Sequence, residues 1–143
     1  MNKAVSGFTL IELVVVITIL GILAAFAFPR FASMDAEARK TAVNALGRSV
    51  RDATARARAQ ALARGGPATI TMEGQTITML NGYPNEASID NTLMDFSGFQ
   101  YQNAAVARFR RQDAAGSPNT CMVTYADAVA DSPPVITVIT TGC

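Results

Sequence analysis

Few residues in this chain have the types and the spacing that catalysis or ligand binding requires. There is no histidine among its 143 residues, which removes the commonest general base, proton shuttle and transition-metal ligand. Most metalloenzymes and most hydrolases that use a Ser-His or Cys-His pair are therefore excluded. Asp127 and Asp131 are spaced so that they could touch one cation, but two loop carboxylates are normally solvated, and Gly65-Gly66 lacks the Lys-Ser/Thr continuation of a phosphate-binding loop. We expect a protein that is not an enzyme and that has no cofactor and no metal site.

Glu12 is the residue with the most informative surroundings. It is the only charged residue between Phe8 and Phe28, a stretch that as a helix would be about 31 Å long and would match the ~30 Å hydrocarbon core of a membrane. A carboxylate inside a membrane is costly and is by default functional. Two interpretations stay open: Glu12 is tolerated near the interface, or it awaits a cation that another chain brings.

The apolar stretch Phe8–Phe28 itself allows three interpretations. It can be a transmembrane helix, an ordinary secretory signal or the buried core helix of a globular domain. Lys3 and the Ala25-Phe26-Ala27 pattern suit a secretory signal, but the stretch exceeds the ~7–15 residues of the usual apolar region. Glu12 counts against both the secretory signal and the core helix.

The segment Gly7-Phe8-Thr9-Leu10-Ile11-Glu12-Leu13, which follows a short leader containing Lys3, resembles the class III signal of type IV pilins and pseudopilins. The resemblance implies that a prepilin peptidase removes the leader, residues 1–7, by cleaving between Gly7 and Phe8, and then methylates the new amine of Phe8. It implies that Glu12 pairs with the amine of a neighbouring Phe8 during subunit assembly. It also supplies an N-terminus on the cytoplasmic side, which the distribution of basic residues alone would not give.

Phe8 and Glu12 are expected to lie at the start of one long helix. Pro29 removes a helical hydrogen bond and clashes with the preceding turn, and Gly21 is a second weak point. Spacing alone allows either a kink or local melting at Pro29, or the start of a new helix there; the pilin resemblance implies the former. Apolar residues recur at helical spacing as far as Arg64, where Gly65-Gly66-Pro67 ends the helix. We expect a helical spine in which residues 8–28 form the membrane anchor and filament core and residues 29–64 are amphipathic.

Residues 65–143 are expected to form a head in which an antiparallel β-sheet packs on the amphipathic helix, so that the fold class is α+β. Alternating patterns predict a hairpin from Ala68–Met72 and Thr76–Leu80. The remaining elements are a turn at Asn81–Pro84, a short helix over residues 88–95 capped by Ser88, and strands around residues 99–109, 121–125 and 135–141.

Cys121 and Cys143 are the two cysteines of the chain. An even number behind an export-like N-terminus favours one disulfide, with two unrelated thiols as the alternative. Closing this loop would stabilise the fold by roughly 3–3.5 kcal/mol in the chain-entropy model. The pilin resemblance implies that the bridge bounds a surface region of the filament, and the spacing resembles most the pilins of the mannose-sensitive haemagglutinin (MSHA) type.

The charges are unevenly distributed although the net charge is only +1. Between Arg39 and Arg64, Asp52 is the single acidic residue in a basic stretch. No aromatic residue is interleaved with these arginines, so we expect no nucleic-acid partner. Acidic residues follow later, and oppositely charged surfaces are therefore expected to meet within or between subunits; these residues are Glu73, Glu86, Asp90 and Asp95.

The resemblance implies a structural function. The chain would be a subunit of a type IV pilus, a helical filament of identical copies used for adhesion or motility. Its partners would be the prepilin peptidase, the pilus assembly machinery and the inner membrane, which holds the precursor before the filament reaches the surface of a Gram-negative cell. The alternatives are a type II secretion pseudopilin and a periplasmic binding protein anchored by its signal.

Overall fold

The computed structural model describes residues 7–114, 116–117 and 119–143, without the side chain of Ala32. Most of the leader, including Lys3, lies outside the described residues. The elements in chain order are a helix α1 (Leu10–Ala63), strands β1 (Thr69–Met72), β2 (Gln75–Leu80) and β3 (Tyr83–Pro84), a 3₁₀ turn (Asp90–Thr92), and strands β4 (Phe99–Gln102), β5 (Ala107–Arg111), β6 (Met122–Ala126) and β7 (Val135–Ile139). The fold is α+β, as the sequence predicts.

The helix ends in the way that its glycines predict. Gly66 donates its amide to the Ala61 carbonyl at 2.8 Å, and Gly65 donates to the Leu62 carbonyl at 3.1 Å. Both glycines have positive φ angles, 81° for Gly65 and 75° for Gly66, which residues with a Cβ atom rarely adopt. This pair of bonds is a Schellman motif, and it satisfies carbonyl groups that the helix leaves without partners.

Helix α1 continues without a break through Gly21 and Pro29. Pro29 therefore lies in the helix interior, and the alternative in which it begins a new helix is wrong. The conformation contains no melted stretch at Pro29. A kink there stays a prediction.

The chain divides into two compact units, Met1–Ala36 and Glu37–Cys143, and the boundary falls inside α1. The described part of the first unit is the N-terminal part of this helix with the three residues that precede it. The second unit contains the rest of the helix and all the strands.

The second unit contains two antiparallel sheets, one with the order β1-β2-β3 and one with the order β4-β5-β6-β7. The expected hairpin is present, since Met72 pairs with Gln75 across Glu73 and Gly74, which both have positive φ. Asn81 and Gly82 form a second two-residue turn of this kind, as Leu80 pairs with Tyr83. Such turns match the twist of the strands they connect.

Three local predictions in the head are wrong. Tyr83 and Pro84 form strand β3 instead of completing a turn. The expected strand over residues 99–109 is the hairpin β4–β5, in which Tyr101 pairs with Phe109. The expected helix over residues 88–95 is a single 3₁₀ turn without a side-chain cap, because Ser88 accepts the Thr78 amide at 3.0 Å and contacts Asn85 Oδ1 at 2.6 Å.

The core lies between one face of α1 and the sheets. The apolar residues that recur at helical spacing in α1 from Leu46 onward are buried, whereas Phe31 and Met34, which have the same spacing, are exposed. The buried residues are Leu46, Val50, Ala53, Ala57 and Ala61. The larger core cluster joins this helix to the four-stranded sheet through Phe109, Val123 and Tyr125, and the smaller joins it to the hairpin through Ile70 and Ile77. Burying this stripe is what holds the amphipathic part of the helix in place.

Candidate functional site

The candidate site is the N-terminal end of α1, where Thr9 and Glu12 form two reciprocal hydrogen bonds. The Thr9 amide donates to Glu12 Oε2 at 2.9 Å, and the Glu12 amide donates to Thr9 Oγ1 at 3.3 Å. The Thr9 hydroxyl also donates to Glu12 Oε2 at 2.8 Å. This is a capping box, which satisfies amide groups that the first turn of a helix leaves without partners. The prediction from sequence missed it, although the Thr-x-x-Glu pattern before an apolar run is its signal.

The capping box fixes the position of the Glu12 carboxylate. Its bonds from Thr9 all go to Oε2, and no described residue hydrogen-bonds to Oε1. The carboxylate lies in a shallow surface depression whose other lining residues are apolar: Phe8, Ile11, Val15 and Val16. A negative charge in the first helical turn also interacts favourably with the helix dipole. The site thus presents an oriented anion in apolar surroundings.

Gly7 and Phe8 lie immediately before the helix and are exposed, and 86% of the Phe8 surface is accessible. An exposed junction outside regular secondary structure suits a peptidase, because cleavage requires an extended and accessible backbone. Cleavage at this junction and methylation of Phe8 stay predictions.

The helical segment that follows Glu12 is apolar on every side. Its most apolar 18-residue window has a mean hydropathy of 2.7, and none of that window is buried. The hydroxyl of Thr18 donates to the Val14 carbonyl at 2.7 Å, so that this polar group is satisfied within the helix. By length and composition, this is the one helix among the described residues that could cross a membrane.

The second part of the candidate site is the disulfide between Cys121 and Cys143, whose Cα atoms lie 4.9 Å apart. Both cysteines are buried. The amide of Gly142 donates to the Thr120 carbonyl at 2.9 Å. On the helix, Arg39 Nε donates to the main-chain oxygen of Cys143 at 2.7 Å. The bridge and the arginine together attach the C-terminal residues to β6 and to α1.

The two carboxylates of the acidic pair considered for a cation, Asp127 and Asp131, have different surroundings. Asp127 Oδ1 accepts the Glu86 amide at 2.5 Å, so this carboxylate connects the loop after β6 to the segment after β3. Asp131 instead lines a depression that it shares with Arg58 and Tyr83. The described part of the chain contains no group of three or more acidic, histidine or cysteine side chains that could hold a metal ion.

Two tyrosines, the partly buried Tyr101 and the buried Tyr125, connect the sheet to Pro84 and Glu86. The Tyr101 hydroxyl donates to the Glu86 carbonyl, and the Tyr125 hydroxyl donates to the Pro84 carbonyl. Burial, with the negative charges of Asp90, Glu86 and Asp127, raises the pKa of Tyr101 to about 12. Burial also raises the pKa of Tyr125. Neutral phenols are therefore part of the folded head.

The sequence resembles known proteins over part of its length. Residues 2–28 match the family described as the prokaryotic N-terminal methylation motif. Over 55 residues, the chain is 51% identical to the type IV narrow pilus major component PilA5 of Thermus thermophilus; the match covers 38% of this chain and 47% of that protein. The chain thus spans about half the length of the curated relative it matches. No solved structure matches the chain.

Proposed function

We propose that this chain is a type IV pilin: a structural subunit that polymerises through its N-terminal helix into a filament on the cell surface. The observation that carries the proposal is the first turn of α1. There, an oriented carboxylate follows an exposed Gly7-Phe8 junction and begins a fully exposed apolar helix, within a segment that matches the methylation motif. The similarity to a pilus component over 55 residues supports the same function.

The proposed processing is cleavage between Gly7 and Phe8 by a prepilin peptidase, followed by methylation of the Phe8 amine. Removal of residues 1–7 takes away Lys3 and leaves Thr9 next to the new N-terminus. The apolar helix stays on the protein as its anchor in the inner membrane. After assembly by the pilus machinery, the same helix is covered by other copies.

The proposed role of Glu12 is to pair with the Phe8 amine of a neighbouring subunit. A carboxylate and an ammonium in a low-dielectric helix bundle each need a partner, and removal of one leaves the other charge stranded. The oxygen Oε1, which accepts no hydrogen bond from a described residue, is the one available to that amine. Exposed apolar side chains around Glu12 would exclude water from the pair.

More specifically, we propose that the filament is a pilus used for adhesion or motility on a Gram-negative cell. The chain would be a pilin of the MSHA type. The alternative within the same assembly class is a type II secretion pseudopilin, which uses the same N-terminal signal. The disulfide that bounds the C-terminal region favours the pilin. Among the described residues the head also lacks a metal-binding cluster, which favours the pilin over the pseudopilin.

The experiment is to shear cells that produce the chain, to image the released material and to determine the N-terminus of the subunit by mass spectrometry. Long filaments composed of a subunit that begins with methylated Phe8 are expected. A subunit that begins at Phe28 would show an ordinary secretory signal and would refute the proposal. Methylated Phe8 in short, cell-bound filaments only would favour the pseudopilin.

A further inference from the structure

The solvent side of α1 in the second unit carries an excess of positive charge. Arg48, Arg51 and Arg56 are exposed there, and Asp52 is the one acidic residue interleaved with them. None of these three arginines forms an ion pair within the described residues. Arg51 donates to the carbonyls of Gly47 and Ile136, at 3.5 and 3.4 Å. Even if Asp52 neutralises one arginine, this surface, which we call the basic helix face, keeps a charge of about +2.

The basic helix face is shaped to receive carboxylates. Arg48 and Arg51 line a depression with two uncharged polar side chains, Thr41 and Asn44. A guanidinium presents its N–H groups as a planar fork that matches a carboxylate. Thr41 and Asn44 supply further hydrogen-bonding groups beside it. Among the described residues, no aromatic side chain lines the depression, so it offers no surface for the base stacking that supports single-stranded nucleic-acid binding.

A cluster of opposite charge lies elsewhere in the same unit, around the Tyr101 hydroxyl. The Tyr101 hydroxyl donates to the Glu86 carbonyl, and Asp127 Oδ1 accepts the Glu86 amide at 2.5 Å. The negative charges of Asp90, Glu86 and Asp127 raise the pKa of this hydroxyl. None of the three forms an ion pair with a described lysine or arginine. Asp90 Oδ1 is buried and has no hydrogen-bond partner within the described part of the chain. We call these three residues the acidic cluster.

Within its described part, the chain thus carries two charged surfaces that form no ion pairs of their own. The three carboxylates are partly buried and have lost part of their hydration. Asp127 accepts the Glu86 amide, but no described lysine or arginine pairs with the three negative charges, which is unfavourable. The head therefore supplies both a binding surface and its electrostatic complement, on one molecule.

We propose that the basic helix face of one copy of this chain docks on the acidic cluster of the next copy. Two different surfaces on one chain form a heterologous contact, and a heterologous contact that does not close into a ring generates an open helical array. The inference rests on the proposed filament and assigns a second contact to it, between heads and independent of Glu12. The long arginine side chains reach carboxylates that are themselves partly recessed.

The first test is a charge swap in the full-length chain, scored by the yield of sheared filaments. The variant Arg48→Glu/Arg56→Glu makes the helix face negative, and we expect the yield to fall at least about tenfold, because like charges then face each other. The variant Glu86→Lys/Asp90→Lys makes the cluster positive and should lose yield similarly. Combining all four substitutions restores opposite charges, and yield should recover to within about threefold of wild type. Recovery is the supporting result; no loss in the first variant, or loss without recovery, overturns the inference.

The control for the change of charge is Arg108→Glu/Arg110→Glu on strand β5, where both arginines are partly buried. Its filament yield should not be rescued by Glu86→Lys/Asp90→Lys. Equal rescue would show a non-specific effect of net charge and would overturn the assignment of the helix face. The melting temperature of each variant identifies a folding defect, and a variant that melts well below wild type is replaced by its single substitution.

The second test needs no charge reversal. The chain has no free cysteine among its described residues, so Arg48→Cys/Glu86→Cys provides two new thiols for a short bis-maleimide. Sheared filaments of this variant should give a ladder of covalent multimers, and Arg108→Cys/Glu86→Cys should give none. Equal crosslinking in both variants, or none in the first, contradicts the docking. If wild-type cells release no filaments at all, the proposed function fails; if wild-type filaments form and the Arg48 ladder is absent, only the inference fails.

Discussion

Glu12 combines two functions in one carboxylate, a structural one within its own helix and a proposed one between subunits. The bonds to Thr9 hold Oε2 and orient the side chain. A side chain that is already oriented loses less entropy when it pairs with an incoming amine. The two functions use different properties: capping needs an acceptor oxygen, and pairing needs a negative charge.

Glu12→Gln and Thr9→Ala separate these functions. Glutamine can still accept the Thr9 amide in a capping box, but it cannot neutralise an ammonium. We expect Glu12→Gln to be processed normally and to lower the yield of sheared filaments by at least about tenfold. Thr9→Ala removes a cap of about 1 kcal/mol and keeps the charge, so it should reduce the yield much less.

Immunoblots for the processed subunit control both variants. Equal loss of filaments in Glu12→Gln and Thr9→Ala would indicate that capping, and not charge, limits assembly. Normal filaments in Glu12→Gln would remove the ion pair from the mechanism.

Tyr101 gives the head a predicted sensitivity to alkaline pH. The pKa of this phenol rises from the ordinary tyrosine value of 10.0 to about 12 in the folded chain. Below pH 10 the phenol is therefore neutral in both the folded and the unfolded state, and its full contribution to the free energy of unfolding is present. Between about pH 10 and 12 the unfolded state releases its proton first, and the free energy of unfolding must fall with rising pH. The measurement is denaturant unfolding at several pH values, with phenolate absorbance followed in parallel.

Tyr101→Phe is the control for this titration. It removes the titrating group and the hydrogen bond to Glu86, so the variant should start from a lower stability and lose less of it over the same range. Ionisation of Tyr101 near pH 10 in the folded protein would contradict the assignment.

Between elements, α1 approaches β7 closely at Gly47. A Cβ atom at this position would lie 2.5 Å from Val138 Cγ2 and 3.8 Å from Val123 Cγ2. Glycine is the least favourable residue for a helix interior apart from proline. Its presence is explained by the packing, because the smallest residue lets the helix approach the sheet.

Gly47→Ala should have two opposite effects on the free energy of unfolding, one through helix propensity and one through packing. The alanine should gain about 1 kcal/mol in the helix, but the overlap with Val138 should cost roughly 1–3 kcal/mol, so we expect a net loss in the free energy of unfolding. Val138→Ala removes the overlapping methyl group, and in that background Gly47→Ala should stabilise the protein. The double-mutant cycle in denaturant should therefore give a favourable coupling of about 1 kcal/mol or more. Purely additive effects would show that the sheet moves away at no cost.

For the whole molecule, the disulfide and Arg39 decide how firmly the C-terminal residues are attached. The bridged cysteines are 22 residues apart in the sequence, so Cys121→Ser/Cys143→Ser should lower the free energy of unfolding of the head by roughly 3 kcal/mol. Unfolding of the oxidised full-length chain in detergent, followed by circular dichroism, is the measurement. Wild-type protein that has been reduced and alkylated should lose a similar amount. An unchanged stability in both samples would show that the reduced chain already keeps these residues in place.

Much of the secondary structure could be predicted because its causes are local. The bounds of α1 follow from Thr9 at one end and Gly65-Gly66 at the other, and the β1–β2 hairpin follows from two alternating segments around Glu73-Gly74. Helical spacing alone predicts an apolar stripe that includes Leu46, Val50 and the alanines that follow them at this spacing, and these residues are buried; Phe31 and Met34 belong to the same stripe and are exposed. The capping box was also visible in Thr-x-x-Glu, although it was not recognised.

The remainder depends on residues that are distant in the sequence. The predicted strand over residues 99–109 is two strands, because the chain reverses at residues 103–106 and Phe109 pairs with Tyr101. Residues 103–106 contain no glycine or proline, so the sequence does not indicate a turn there. Ser88 binds β2 instead of capping a helix, and Asp127 accepts the Glu86 amide. In these last two cases a polar side chain satisfies a main-chain group that the fold brings close to it, whatever its local preference.

The sequence by itself determined the apolar helix, its charged first turn and the cysteine pair, because hydrophobic periodicity, capping and cysteine number are properties of adjacent residues. Only the tertiary structure decided that Gly47 must be small, that Arg39 binds the C-terminal residues, and that the basic helix face and the acidic cluster are left unneutralised. Those features depend on distances between elements, which burial of a common core sets and which no local pattern specifies.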